Sequence, residues 1–319
     1  MVVGFLLNHA HIILHQKIYL YRKCNLYKLA ALTYYIALPV IYLISLLPFR
    51  ALYFLSGVFF FFLYYVLGYR KKIVKVNLVK SFPEKTDQEI NRIMKSFYAY
   101  FCDLFLETFK TLTISKASML KHCSFEPAAK KLLDELAAEN KSIIIAMGHK
   151  GNWEWAGNSF SLLCSHQLYV IYHPLANRHF DNLMYRMRTR FGTRLIAMKD
   201  TFREMMDKRQ ELNATAFIAD QTPHPDRAYW MNFLNQDTPV FTGMDKIARK
   251  IKYPVVYVSA RKIGRGYYTI AVEPLASPPY DLSEGEIAML YTRRLEKDII
   301  EQPETWLWTH KRWKHKRFG

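Results

Sequence analysis

The chain has 319 residues, 51% of them hydrophobic, with 45 Lys plus Arg against 27 Asp plus Glu and four cysteines. So much apolar material excludes intrinsic disorder and is enough for one large packed domain, with or without an appendage. Cys24, Cys102, Cys123 and Cys164 form no CxxC and no close pair, which speaks against a zinc ribbon or a disulfide framework and for reduced thiols on the cytoplasmic side.

A net charge of +18 would ordinarily suggest nucleic acid, but the charge sits at the ends. Through Pro83 there are ten cations (Lys17, Arg22, Lys23, Lys28, Arg50, Arg70, Lys71, Lys72, Lys75 and Lys80) and no acid. Five more (Lys311, Arg312, Lys314, Lys316 and Arg317) fall in the last ten residues, again without an acid, so residues 84–310 carry only +3.

Inside the N-terminal basic region lie two uncharged runs, LAALTYYIALPVIYLISLLPF (29–49) and ALYFLSGVFFFFLYYVLGY (51–69). Each approaches the roughly 20 apolar residues that span a bilayer core. Cations flank both outer ends, and the positive-inside tendency puts both in the cytoplasm. A membrane hairpin satisfies that pattern, as does a tilted anchor helix followed by an interfacial one. Either holds the rest of the chain against the inner leaflet, where cations attract anionic lipid. The first 15 residues lack the features of a signal peptide and are assigned no role.

From Ser81 the pattern becomes that of an ordinary folded domain. Thr86 and Glu89 make a capping box opening a helix with Ile90, Ile93, Phe97, Phe101, Leu104 and Phe105 at helical spacing. A helix is expected over 127–139, and four short apolar runs read as strands: SIIIAM (142–147), LYVIY (168–172), ATAFIA (214–219) and PVVYVSA (254–260). Helical stretches near 153–164, 177–191, 200–211 and 243–251 lie between them. The alternation predicts an α/β fold, a mostly parallel central sheet with flanking helices, preceded by the N-terminal anchor. Residues 267–272 follow across Gly264-Arg265-Gly266 as an antiparallel hairpin strand. The expected division is an extension and anchor over 1–80 and a catalytic domain over 81–319.

The chemistry concentrates in SIIIAMGHKGNWEWAG (142–157). A buried strand ends at Met147, Gly148 turns the chain, and His149 stands at the strand's carboxyl end, where α/β sheets place ligands. Glu154 follows in the first turn of the next helix. A carboxylate accepting from one imidazole nitrogen leaves the other free to take a proton, the base-plus-orienter arrangement of acyl transfer. The chain contains no GxSxG and no Cys-His dyad, so the acceptor's own hydroxyl is the expected nucleophile. Without a Walker loop or GxGxxG, nucleotide binding has no support. Taken alone, His149 also fits a surface-loop histidine and Glu154 a residue complementing a helix dipole.

His-x-x-x-x-Glu within HKGNWE resembles the bacterial lipid A late acyltransferases, a branch of the lysophospholipid acyltransferase superfamily. RKKIVKVNLVKSFPE (70–84), ADQTP (219–223) and PETWLWTHKRWK (303–314) are similar to further signatures of that family, in the same order, so the resemblance covers about residues 29–317. It implies transfer of a fatty acyl chain from a thioester of acyl carrier protein or coenzyme A to a hydroxyl of an anionic lipid A precursor, at the cytoplasmic face of a bacterial inner membrane. In that scheme His149 is the general base and Glu154 orients it. Asn152 and the amides at the helix start hold the thioester carbonyl, Arg188 and Arg190 meet the acceptor's phosphate, and Asp220 and Gln221 shape the cleft. The acyl thioester is a co-substrate, and neither a cofactor nor a metal is expected. The basic tail from His310 is expected to dock on anionic headgroups or on an acidic carrier protein. Two rivals remain: an acyltransferase acting on a lysophospholipid or amino-acid lipid, and a non-enzymatic membrane protein recruiting nucleic acid, against which the near-neutral body and missing RNA- or DNA-binding motifs count.

Overall fold

The computed structural model describes residues 31–317; Cys24, four of the N-terminal cations and the opening 15 residues lie outside them. Two apolar helices come first, α1 (Ala31–Leu46) and α2 (Phe49–Phe61), the second continued by a π-helical turn, Phe62–Val66. They match the two uncharged runs, and Pro48, in an extended conformation before α2, makes the corner between them. Among the described residues Phe49–Val66 is the one stretch long and apolar enough to cross a membrane, with 11% of it buried.

α3 (Lys71–Ser81) and α4 (Asp87–Lys110) follow. α4 opens with the expected capping box: Thr86 Oγ1 accepts from the Glu89 amide, and the Glu89 carboxylate accepts from the Thr86 amide at 2.8 Å. The body then alternates through α5 (Lys116–His122), β1 (Cys123–Phe125), α6 (Pro127–Ala138), β2 (Ile143–Met147), α7 (Trp153–Leu163), β3 (Gln167–Tyr172), α8 (Arg178–Thr189), β4 (Arg194–Ala197), α9 (Thr201–Asp207) and β5 (Asn213–Ile218). A small hairpin of β6 (Tyr229–Phe233) and β7 (Gln236–Val240) interrupts the alternation before α10 (Gly243–Ile251), β8 (Val255–Gly264), β9 (Tyr267–Ala276) and α11 (Glu286–Glu301).

Seven strands form one sheet in the order β1-β9-β8-β2-β5-β3-β4. Every pair is parallel except β8 with β9, the hairpin turning through Gly264-Arg265-Gly266. β2 is central, buried along its whole length, and IIIAM is the continuous apolar run, led by three β-branched isoleucines, that a strand covered on both faces requires. One face packs Ile143, Ile145 and Met147 against α5, α6 and α7. The other packs Ile144 and Ala146 against α4, α10 and α11, together with Trp306 and Trp308.

β1, β4, the β6–β7 hairpin and α11 go beyond the sequence expectation. β1 and β4 have only three and four residues, too few to show alternation. α11 did carry a signal, since Ile287, Tyr291, Leu295 and Ile299 recur every four residues and are all buried.

Candidate active site

The site is built where β2 and β5 end. These strands are parallel neighbours with Met147 opposite Ile218, so His149 and Asp220, each two residues further on, emerge side by side. The loop after β2 is tightly determined. Gly151 has φ +58, and a Cβ there would lie 1.9 Å from the Ala260 carbonyl oxygen, so only glycine fits. Its amide donates to the Thr305 carbonyl at 3.0 Å, and its carbonyl accepts from the Tyr100 hydroxyl at 2.6 Å. Asn152 then caps α7, its Oδ1 accepting from the Trp155 amide at 2.9 Å.

Asp220 holds His149 at two points. Its Oδ1 lies 2.6 Å from His149 Nδ1, and its Oδ2 accepts from the His149 amide at 2.8 Å. Oδ2 also accepts from the Trp306 indole N–H at 2.8 Å. Burial alone would raise this carboxyl, but the His149 charge and hydrogen bonds, with the Trp306 indole, bring it down to about 2. An ionised carboxylate only accepts, so in the neutral imidazole Nδ1 carries the hydrogen and Nε2 keeps its lone pair. Nε2 faces Gln221, whose amide nitrogen is 3.5 Å away, and Trp153 meets the ring edge-on with centroids 5.1 Å apart.

The carboxylate on the ring is therefore Asp220 rather than the Glu154 expected from sequence. Glu154 lines the same cavity, but both its oxygens are taken by Arg188, with Nε at 2.9 Å and Nη2 at 2.5 Å. Burial would raise the Glu154 carboxyl; the Arg188 charge and bonds, with His149 nearby, hold it below the usual carboxylate range. Asn152 is not positioned to hold a substrate carbonyl. It is fully buried beneath the site, and its Nδ2 donates to Glu107 at 2.8 Å. Arg188 and Arg190 turn to different partners: Arg188 pairs with Glu154, while Arg190 donates to the Thr111 carbonyl and packs over Phe191.

A cavity of about 610 Å³ opens at His149 and runs between α7 and the sheet. Side chains from successive strands line it, among them Met147, Ile218, Leu168, Val258 and Ile270, with Phe160 of α7 opposite. The result is a largely apolar cavity with a few polar groups, among them the His149 and His173 imidazoles, the Glu154–Arg188 ion pair and the Gln221 amide, the usual make-up of a small-molecule site. Cys102, Cys123 and Cys164 are free, and burial pushes all three thiols up to about 12, which leaves them inert as nucleophiles.

The segment 303–314, a family signature in the sequence, forms a strap that completes the site. The basic tail from His310 was expected to dock on anionic headgroups or on an acidic carrier protein; residues 303–312 fold back across the sheet end, burying Trp306, Trp308 and Arg312. Arg312 has no access to a partner; it donates to the Pro239 carbonyl at 2.7 Å, whereas Lys311, Lys314, Lys316 and Arg317 stay exposed. α3 holds the strap, with Arg70 donating to the Thr309 carbonyl and Asn77 to the carbonyls of Trp308 and His310. His310 in turn accepts from Thr222, two residues beyond Asp220, and burial lowers it to about 4, keeping it neutral. Beneath the loop, Glu107 of α4 accepts from Tyr53 of α2, Tyr268 of β9 and Asn152, three elements meeting at one buried carboxylate.

The signature segments, far apart in sequence, thus meet around one histidine. Comparison with known proteins agrees with that convergence: the chain matches the family described as bacterial lipid A biosynthesis acyltransferase over residues 22–315. It is 25% identical over 254 residues to the lipid A biosynthesis lauroyltransferase of Escherichia coli, covering 78% of this chain and 81% of that one. To the myristoyltransferase of the same organism it is 21% identical over 250 residues (76% and 75% covered), and to a lipid A biosynthesis acyltransferase of Haemophilus influenzae 20% over 270 residues (83% and 82%). With the match extending from ahead of α1 through the strap, the chain belongs to the bacterial lipid A biosynthesis acyltransferase family and is an acyltransferase.

Proposed function

We propose that this acyltransferase moves a fatty acyl chain from a thioester, carried by acyl carrier protein or coenzyme A, to a hydroxyl of a lipid A precursor, with His149 as general base. The observation that carries this reading is His149, held through Nδ1 by Asp220 at 2.6 Å, with Nε2 facing the mouth of a long apolar cavity. The donor's acyl chain lies in that cavity with its carbonyl carbon at His149. Nε2 takes the proton from the acceptor hydroxyl as its oxygen attacks that carbon. When the tetrahedral intermediate collapses, the C–S bond breaks and the imidazolium returns the proton to the departing sulfur. The products are an ester and a free thiol. Gln221, beside Nε2, supplies an N–H to the carbonyl oxygen as charge develops there. Asp220 stabilises the imidazolium and fixes its ring.

The same proposal places the protein at the inner membrane with the catalytic body on the cytoplasmic face. Its support is the apolar surface of α1, α2 and the π-helical turn that continues it, exposing Ile36, Leu43, Leu46, Phe54, Phe62 and Val66, together with the flanking cations.

The test is to incubate the purified full-length protein in detergent micelles with labelled acyl carrier protein thioester and a lipid A precursor, alongside His149→Ala. Removing a general base should slow label transfer by about 10²–10⁴-fold. Equal transfer by both proteins would contradict the assignment.

A further inference from the structure

We infer that a second apolar hollow, between α4 and α8, binds a hydrocarbon chain of the acceptor lipid while the cavity under α7 holds the donor's chain. The inference rests on the acyl-transfer reading above and adds to it a separate binding site for the second substrate. The hollow encloses about 340 Å³, and its walls include Leu104 and Thr108 of α4 and Met184 of α8.

Three observations support the assignment. First, the hollow adjoins the catalytic cavity across a shared wall. Trp153, Glu154, Tyr172, His173, Leu175 and Arg188 line both, and the bidentate Glu154–Arg188 pair is the charged part of that shared wall. A single chain running through the wall at Glu154–Arg188 would break a buried ion pair, which is costly once either partner is left alone. Two chains, one approaching from each side, leave it intact.

Second, the rim is apolar and uncovered. Phe105, Leu175 and Tyr185 are 47%, 48% and 48% exposed. Covering such side chains gains about 25 cal/mol per Å² of apolar surface, a gain a hydrocarbon can collect and a sugar or phosphate cannot.

Third, the hollow opens beside the apolar N-terminal helices. Phe109 and Met184 line it and also pack against the cluster around Ile41 of α1, the helix that presents Tyr35, Ile36, Leu43 and Leu46 outward. A chain leaving a bilayer at α1 enters the hollow without passing through water, a route a soluble ligand would not need. A hydroxyl on such a lipid then arrives at Trp153, whose indole touches the His149 ring.

Two measurements on the full-length protein in micelles test this. In the first, a lipid A precursor with a diazirine at a chain terminus is irradiated with the His149→Ala protein, so that labelling needs no turnover. Label is expected on residues 101–109 and 184–188; label confined to Phe160 and Ile270 of the other cavity, or to the outer faces of α1 and α2, would overturn the proposal. In the second, Thr108→Trp, which fills the hollow, is compared with the milder Thr108→Leu, each checked for native circular dichroism. The acceptor KM should rise by about tenfold or more for Trp and less for Leu, with the donor KM changed less than about twofold. A rise in donor KM instead, or no change in a folded Trp variant, would overturn it. Label in the hollow combined with no acyl transfer by the wild-type protein would leave this lipid site standing and sink the acyl-transfer reading alone.

Discussion

Glu107 and Asp220 are both buried carboxylates, and their surroundings drive them in opposite directions. Asp220 faces the imidazole and two N–H donors and stays ionised down to about 2. Glu107 accepts from Tyr268, Tyr53 and Asn152, but burial outweighs these bonds and raises it to about 7. A carboxyl whose folded-state pKa is raised takes up a proton on folding. Its contribution to stability is therefore complete below about 4.5, the ordinary value, and is lost as pH rises through about 7. Glu107→Gln, which cannot ionise, should gain stability relative to wild type by about 2 kcal/mol between pH 5 and pH 8, read from denaturant unfolding at each pH. A constant difference across that range would contradict the assignment. At this scale the sequence was partly legible. His149 could be found because a lone histidine ends an apolar strand run, and Glu154 stood nearby in the chain. The carboxylate that actually holds the ring is 71 residues away, and its position depends on which strands are neighbours.

That neighbourhood is a property of the elements. β2, β3, β5 and β8 announce themselves as apolar runs, but nothing local says that β5 lies against β2 while β3 lies beyond it. Once β2 and β5 are adjacent in register, the His149–Asp220 contact follows from counting two residues past each strand end. The loop after β2 depends equally on backbone geometry. Gly151→Ala would put a Cβ against the Ala260 carbonyl in a left-handed conformation, so it should lower the unfolding free energy by about 2 kcal/mol or more and reduce kcat in whatever folded protein remains. Thermal unfolding with initial rates checks both, and wild-type values for each would contradict the fit. The strap was visible as a motif but not as a structure, since Trp306 donates to Asp220 beyond β5, Arg312 to Pro239 of β7, and Asn77 of α3 holds its carbonyls.

Over the whole molecule the charge and the apolar surface have one arrangement. In the sequence, ten cations lie before, between and after the two N-terminal apolar runs; four of the five tail cations are exposed, and the body between is close to neutral. The fifth, Arg312, is structural, a distinction charge counting could not make. α2 is tied to the body from within, Tyr53 donating to Glu107 and Ser56 to Asp103, while its outer face is left bare. Placing Glu at Phe54 and Phe62 leaves those inner bonds in place and adds about 2.5–3.5 kcal/mol per charge if the positions lie deep in a bilayer. The double variant should no longer float with vesicles containing anionic lipid, whereas the wild type should; co-flotation of both would contradict membrane insertion of α2.

The central claim is that His149 is a general base made effective by Asp220, the two acting as one unit. It is tested most directly by measuring the rate of acyl transfer to a lipid A precursor for wild type, His149→Ala, Asp220→Ala and the double variant. The account predicts that each single substitution costs about 10²-fold or more and that the double variant is no slower than His149→Ala, because Asp220 acts only through the ring. Costs that multiply in the double variant, or a His149→Ala protein as fast as wild type, would contradict it.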